Sequence, residues 1–202
     1  MEMETFWWGN EGNGLFKYED IHRCRKIKSA LLPLKFYKDK SSIPAVGIAS
    51  KRVMSVDVAL MASNRKKDND ATAIIINDAV QKDDVSYHSN FVYQETFEGL
   101  KTDELGILIM RYFYKYKCTD LVLDTNGIGL GVYDFICKDQ YDSETGDTYK
   151  ALTCLNDSDM AIRCKVKDAN KVVWSIKATE QFNSDICLAL YNGIQSGRIS
   201  ML

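Results

Sequence analysis

Residues 119–124 (TDLVLD) constrain this chain of 202 residues more than any other stretch. Leu121, Val122 and Leu123 are consecutive apolar residues, and successive strand residues point to opposite faces. A strand of this kind has to be covered on both sides, which places it inside a sheet with helices packed against it. The sequence that follows agrees. Gly127-Ile128-Gly129-Leu130-Gly131 suits a tight strand-to-helix turn, and 129–138 has the spacing of a helix.

Other elements arrange themselves around that strand. Residues 52–59 (RVMSVDVA) read as a strand with Val53, Ser55, Asp57 and Ala59 on one face, and 71–78 (ATAIIIND) as its hairpin partner across a polar turn at 63–70. Residues 90–97 form a third strand. Thr102 caps a helix whose first turn holds Asp103 and Glu104, at the positive end of its dipole. Leu105, Leu108, Ile109, Tyr112, Phe113 and Tyr116 then recur at helical spacing. Residues 141–149 are a turn or excursion, and 161–166 a strand. Residues 172–194 are expected to be helical, with Phe182, Ile186, Ala189 or Leu190, and Ile194 along one stripe and Gly197 ending the helix. A short helix is expected near 18–28. The pattern is an α/β mixed sheet flanked by helices on both faces.

Composition excludes several classes. The 26 Lys and Arg against 28 Asp and Glu give a net charge of -2, so the chain is not a globally basic nucleic-acid binder. No apolar run approaches the ~18 residues of a membrane-crossing helix. Met1 is followed by acids and a Trp pair rather than a basic and then apolar leader, so no secretory signal is expected. The six cysteines contain no C-x-x-C pair, and with two histidines no zinc spacing arises; His22-x-Cys24 is the nearest approach. Scattered buried thiols are expected. The first fifty residues differ from the rest: Pro33 and Pro44 flank Ser41-Ser42, which suits a linker. Residues 22–40 carry seven basic residues against Asp39 alone, either a solvated face or a phosphate-contacting one.

Two aspartates could carry chemistry. Asp57 sits in the middle of an apolar strand, where a carboxylate needs a partner or a metal. Asp124 closes the LVLD strand just before a helix, where ligand sites of α/β folds are found. If the two strands are neighbours, the acids point to one spot, and a hard divalent cation, Mg²⁺ or Mn²⁺, relieves their repulsion. The alternatives are a buried aspartate satisfied by backbone donors and a helix-cap residue. The glycine run is G-x-G-x-G rather than G-x-G-x-x-G, and Asp124 would repel a pyrophosphate there. No Walker A motif occurs, so the chain has no ATPase site. Arg65-Lys66-Lys67 at the hairpin tip suit either a passing phosphate backbone or simple solvent exposure. Asp70 is a metal-shell residue or a turn residue.

RVMSVDVALMASNRKKDNDATAIII (52–76), followed by CTDLVLDTNGIGLGVYDFI (118–136), resembles the nuclease domain of phage terminase large subunits, the DNA-packaging motors of tailed bacteriophages. The resemblance covers roughly residues 50–202. NEGNGLFKYEDIHRCR and the rest of residues 1–50 look like the end of the preceding ATPase domain with its linker. It implies an RNase H-like fold for 51–202 and a Mg²⁺- or Mn²⁺-dependent endonuclease acting on double-stranded DNA in the host cell cytoplasm. Asp57 and Asp124 take the catalytic, metal-holding positions. An ATPase domain, a portal and a small terminase subunit are the implied partners, with no membrane. The family carries a third acid near the C-terminal end of the domain, expected to lie past Leu202, so the domain is expected to be truncated. Asp185 on the last helix is the in-chain substitute. Two further readings stand beside this one: another RNase H-like nuclease such as a junction resolvase, and a non-catalytic DNA-binding or motor-coupling module.

Overall fold

Alternation of apolar residues along four neighbouring strands sets the centre of the fold. The computed structural model describes residues 16–37, 42–47, 50–59, 71–83 and 86–202. In chain order its elements are α1 (Tyr18–Arg23), a 3₁₀ turn (Leu34–Phe36), β1 (Ser50–Asp57), β2 (Thr72–Gln81), β3 (Tyr87–Phe97), α2 (Thr102–Lys115), β4 (Asp120–Asp124), α3 (Ile128–Ile136), β5 (Gln140–Asp142), β6 (Asp147–Tyr149), β7 (Leu152–Cys154), α4 (Ser158–Arg163), β8 (Asn170–Ile176), α5 (Glu180–Gln195) and β9 (Ile199–Ser200). Seven strands form one mixed sheet in the order β7-β8-β4-β1-β2-β3-β9. β1-β2 and β2-β3 are antiparallel, whereas β1-β4, β4-β8, β7-β8 and β3-β9 are parallel. This is the expected α/β mixed sheet flanked by helices, compatible with an RNase H-like fold.

The two faces of the sheet differ. Met54, Ile74, Ile76, Leu121, Leu123 and Val173 are fully buried on one face beneath α2 and α3. Each such side chain contributes roughly 1.5–3 kcal/mol through burial. On α2 the expected stripe is buried except Leu108, which is only half-buried. The other face, with Val53, Ser55, Ile75, Val122 and Trp174, is only partly covered, and Trp174 is 37% exposed. Its cover is a second small core near the β3 edge, built from Cys24, Ile194 and Ile199 with Phe16 and Phe91. Of the stripe expected on the last helix, only Ile194 is buried; Ile186 is 45% exposed.

Three local expectations need correction. Residues 161–166 are not a strand, because Asp157 caps α4 with its carboxylate, accepting from the Asp159 and Met160 N–H groups. Residues 172–176 are not helical but belong to β8, where Val172, Val173 and Trp174 fill a strand between β4 and β7. Lys101, not Thr102, caps α2, and the Glu104 carboxylate returns to its N–H at 2.9 Å. The C-terminal end of α5 matches expectation. Gly197 has φ 67°, its N–H bonds the Ile194 carbonyl, and the Arg198 N–H bonds that of Gly193.

The described part of the first fifty residues lies against the sheet. Leu31 and Ile43 enter the main core, the Leu31 N–H donates to the Val92 carbonyl of β3 at 2.8 Å, and Arg25 bridges to Met201 beside β9. The described cysteines are all free thiols, four of them buried, and Cys187 on α5 is exposed. Among the described residues no helix is long and apolar enough to cross a membrane.

Candidate active site

Parallel pairing of β1 with β4 runs from Val53–Asp120 to Val56–Leu123. The next positions on the two strands are Asp57 and Asp124. Strand periodicity puts Val53, Ser55 and Asp57 on one side of β1, and Asp120, Val122 and Asp124 on the same side of β4. The two acids therefore end adjacent strands, about 5 Å apart in the sheet, on the incompletely covered face. Asp57 is not in the middle of its strand, as the sequence suggested, but at its exposed carboxyl end. Burial therefore places no demand on it. Among the described residues, none hydrogen-bonds or ion-pairs with its carboxylate.

Asp124 is held in place. Its Oδ1 accepts the Asn126 N–H at 2.9 Å, closing the turn that leaves β4. It does not cap α3; that position is Gly127, which has φ 54°. A Cβ on Gly129 would lie 1.8 Å from the Asp124 carbonyl oxygen, so only glycine lets α3 begin this close to the end of β4. The expected tight strand-to-helix turn is present, and its glycines make room for backbone.

Three residues that the sequence did not single out brace the same corner. Thr125 Oγ1 lies 2.7 Å from Ser175 Oγ, and the Thr125 N–H donates to the Ile176 carbonyl at 3.0 Å. Asn156 pairs with the backbone of Ser175 in both directions, at 2.9 Å each. The signal for them was the neighbourhood of β4 and β8, which a helical reading of 172–194 concealed.

Comparison with protein-family models and with curated proteins finds no match to the chain.

Asp185 lies on the exposed side of α5 and accepts from Gln181 Nε2 at 2.9 Å. Among the described residues no three His, Cys, Asp or Glu side chains gather into a metal-holding group. Asp120, on the same side of β4 as Asp124, is used at the opposite end of the strand, accepting from Trp174 Nε1 at 2.9 Å and Thr119 Oγ1 at 2.8 Å. His22 is exposed while Cys24 is buried against Ile194, so the two do not converge. Arg65, Lys66, Lys67 and Asp70 lie outside the described residues.

The Asp57–Asp124 donor set suits a hard divalent cation. Both ligands are carboxylates, both are reachable from solvent, and one is fixed by its turn. A pair of this kind accommodates an ion that keeps several of its waters.

Proposed function

We propose that this chain is the Mg²⁺- or Mn²⁺-dependent nuclease domain of a phage terminase large subunit, hydrolysing phosphodiester bonds of double-stranded DNA concatemers during genome packaging in the host cell cytoplasm. The observation that carries this reading is the placement of Asp57 and Asp124 at adjacent carboxyl ends of parallel strands, on the same, accessible face. The likeness of residues 52–76 and 118–136 to that family supplies the substrate and the setting.

Asp57 and Asp124 would hold the cation. When bound, it supplies a water of lowered pKa and countercharge for the leaving oxygen. The rest falls to the chain. The Asn126 N–H and the Thr125–Ser175–Asn156 bonds hold Asp124, and the open face admits a duplex. Arg65, Lys66 and Lys67 would meet phosphates, and their neutralisation should flatten the salt dependence of binding. Asp70 and Asp185 are secondary metal candidates. An ATPase domain, a portal and a small terminase subunit are the proposed partners.

Nicking of supercoiled plasmid in Mn²⁺ tests the reading. The wild-type chain should nick, and Asp57→Ala and Asp124→Ala should each fall to background while keeping their thermal transitions. Nicking that persists in both variants would overturn the metal site. DNA binding without nicking would favour the non-catalytic module, and a strong preference for four-way junctions over linear duplex would favour a resolvase.

A further inference from the structure

A cavity of about 450 Å³ opens on the α2 side of the sheet, between that helix, β3, the 3₁₀ turn and the β5–β6 hairpin. Its size falls within the range of small-molecule sites. It is separate from the Asp57–Asp124 corner. Glu95, on its wall, pairs in register with Ile74, whose side chain lies on the helix-covered face. Asp57 lies on the other face.

Charge decides what such a cavity can hold. Arg111 and Lys115 both line it, but neither is available to an anion. Arg111 donates to both oxygens of Asp142, at 2.7 and 3.0 Å, and reaches Glu144 at 2.6 Å. Lys115 is paired with Asp147. Lys35 is exposed at the rim, its ammonium 5.3 Å from the Phe36 ring centroid.

Glu95 is in the opposite situation. Its Oε2 accepts from the Tyr93 hydroxyl and, at 2.7 Å, from the Tyr112 hydroxyl. Burial first, and then the Glu95 carboxylate, hold both phenols above their ordinary range, so they stay hydrogen-bond donors. Two neutral donors satisfy one oxygen without supplying countercharge. Among the described residues Oε1 accepts no hydrogen bond and no lysine or arginine pairs with the group. Among the described residues, Pro33, Leu34, Ile43 and Leu108, together with the rings of Tyr37 and Tyr112, give the cavity apolar and aromatic walls. A carboxylate at an apolar and aromatic wall suits an ammonium or guanidinium carried on an apolar stem.

We propose that this cavity binds an organic cation, with Glu95 as its counter-ion. The cation is either a free small amine or guanidine, or an arginine side chain presented by a peptide.

Titration of the full chain with agmatine, and separately with an acetylated and amidated Gly-Arg-Gly peptide, tests this by calorimetry. Saturable binding of either probe is expected, with agmatine the better ligand if the source is a free cation and the peptide if it is a side chain. Glu95→Gln keeps an acceptor for both tyrosines and should weaken binding by about tenfold or more. Leu108→Trp, which fills the cavity from α2, should abolish it and decides the matter if Glu95→Gln does not fold. No saturation by about 10 mM, a range where even a weak site fills, would overturn the proposal. So would affinities unchanged in a folded variant, or stronger binding of inorganic phosphate than of either cation.

Discussion

Arg52 binds more of the chain together than any motif visible in the sequence. Its side chain is almost fully buried. Nε and Nη2 donate to the two oxygens of Asp78 at 2.7 and 2.8 Å, and Nη1 donates to the carbonyls of Pro44 and Tyr116 at 2.7 and 2.8 Å. One guanidinium thus joins β1, β2, the end of α2 and the segment before the sheet. Burial works against its charge, and the bidentate hydrogen bonds it donates to the Asp78 carboxylate, with the opposite charge there, outweigh that, leaving its pKa raised. Arg52→Met should lower stability by about 3–5 kcal/mol in urea denaturation, because Asp78 and two carbonyls lose their partner. Adding Asp78→Leu should recover part of the loss; no recovery would place the effect in packing. In the structure Arg52 alternates with Met54 and Val56 on the buried face of β1, opposite the face that the sequence singled out with Val53, Ser55 and Asp57. Its partner on the next strand and the two carbonyls could not be read from local pattern.

At the level of elements, the strand-to-helix turn after β4 gives the sharpest test. Gly129→Ala places a methyl group against the Asp124 carbonyl, so α3 has to shift. A loss of about 1–3 kcal/mol is expected by chemical denaturation, as for overpacking elsewhere, with plasmid nicking reduced because Asp124 moves with its backbone. Full nicking in a folded Gly129→Ala protein would argue that the turn does not position that acid. The β3–β9 junction gives a test in pH. His88 Nε2 lies 2.8 Å from Ser200 Oγ. Partial burial, then Lys82 and Lys26, push its pKa below the ordinary 6.5. The folded state therefore favours neutral imidazole. Stability from this group is intact above 6.5, declines as pH falls from there toward the lower folded value, and changes no further below it. Protection factors at β9, which remove the intrinsic pH dependence of amide exchange, should fall as pH drops below the ordinary 6.5, and His88→Gln should flatten that change.

For the whole molecule, periodicity gave the three-strand meander, α2, β4 and α3 within a few residues, because each is long or strongly patterned. It failed between 150 and 176, before meeting the structure again in α5. Strands of three residues leave too short a pattern, and Val172 to Ile176 owe their conformation to β4 and β7 beside them, a long-range cause. The strand-end position of Asp124, and its convergence with Asp57 on neighbouring strands, were legible from position and strand order; the place of Asp57 at the end of β1 rather than in its middle was not. The bracing of Asp124 by Ser175 and Asn156 was not, since it depends on β8.

The sheet ends in strands of two and three residues, β9 and β7, and the outer side of the eleven-residue β3 is met by β9 and by the Leu31 N–H. Short borders of this kind leave little free backbone for another chain to add to, a protection against self-association. Removing residues 199–202 would strip β9 from β3 and turn a long, well-formed strand into a template. Such a variant should form concentration-dependent oligomers by light scattering, with β-rich infrared absorption, where the intact chain does not. A variant that stays monomeric would show that the N-terminal segment alone is enough to guard that border.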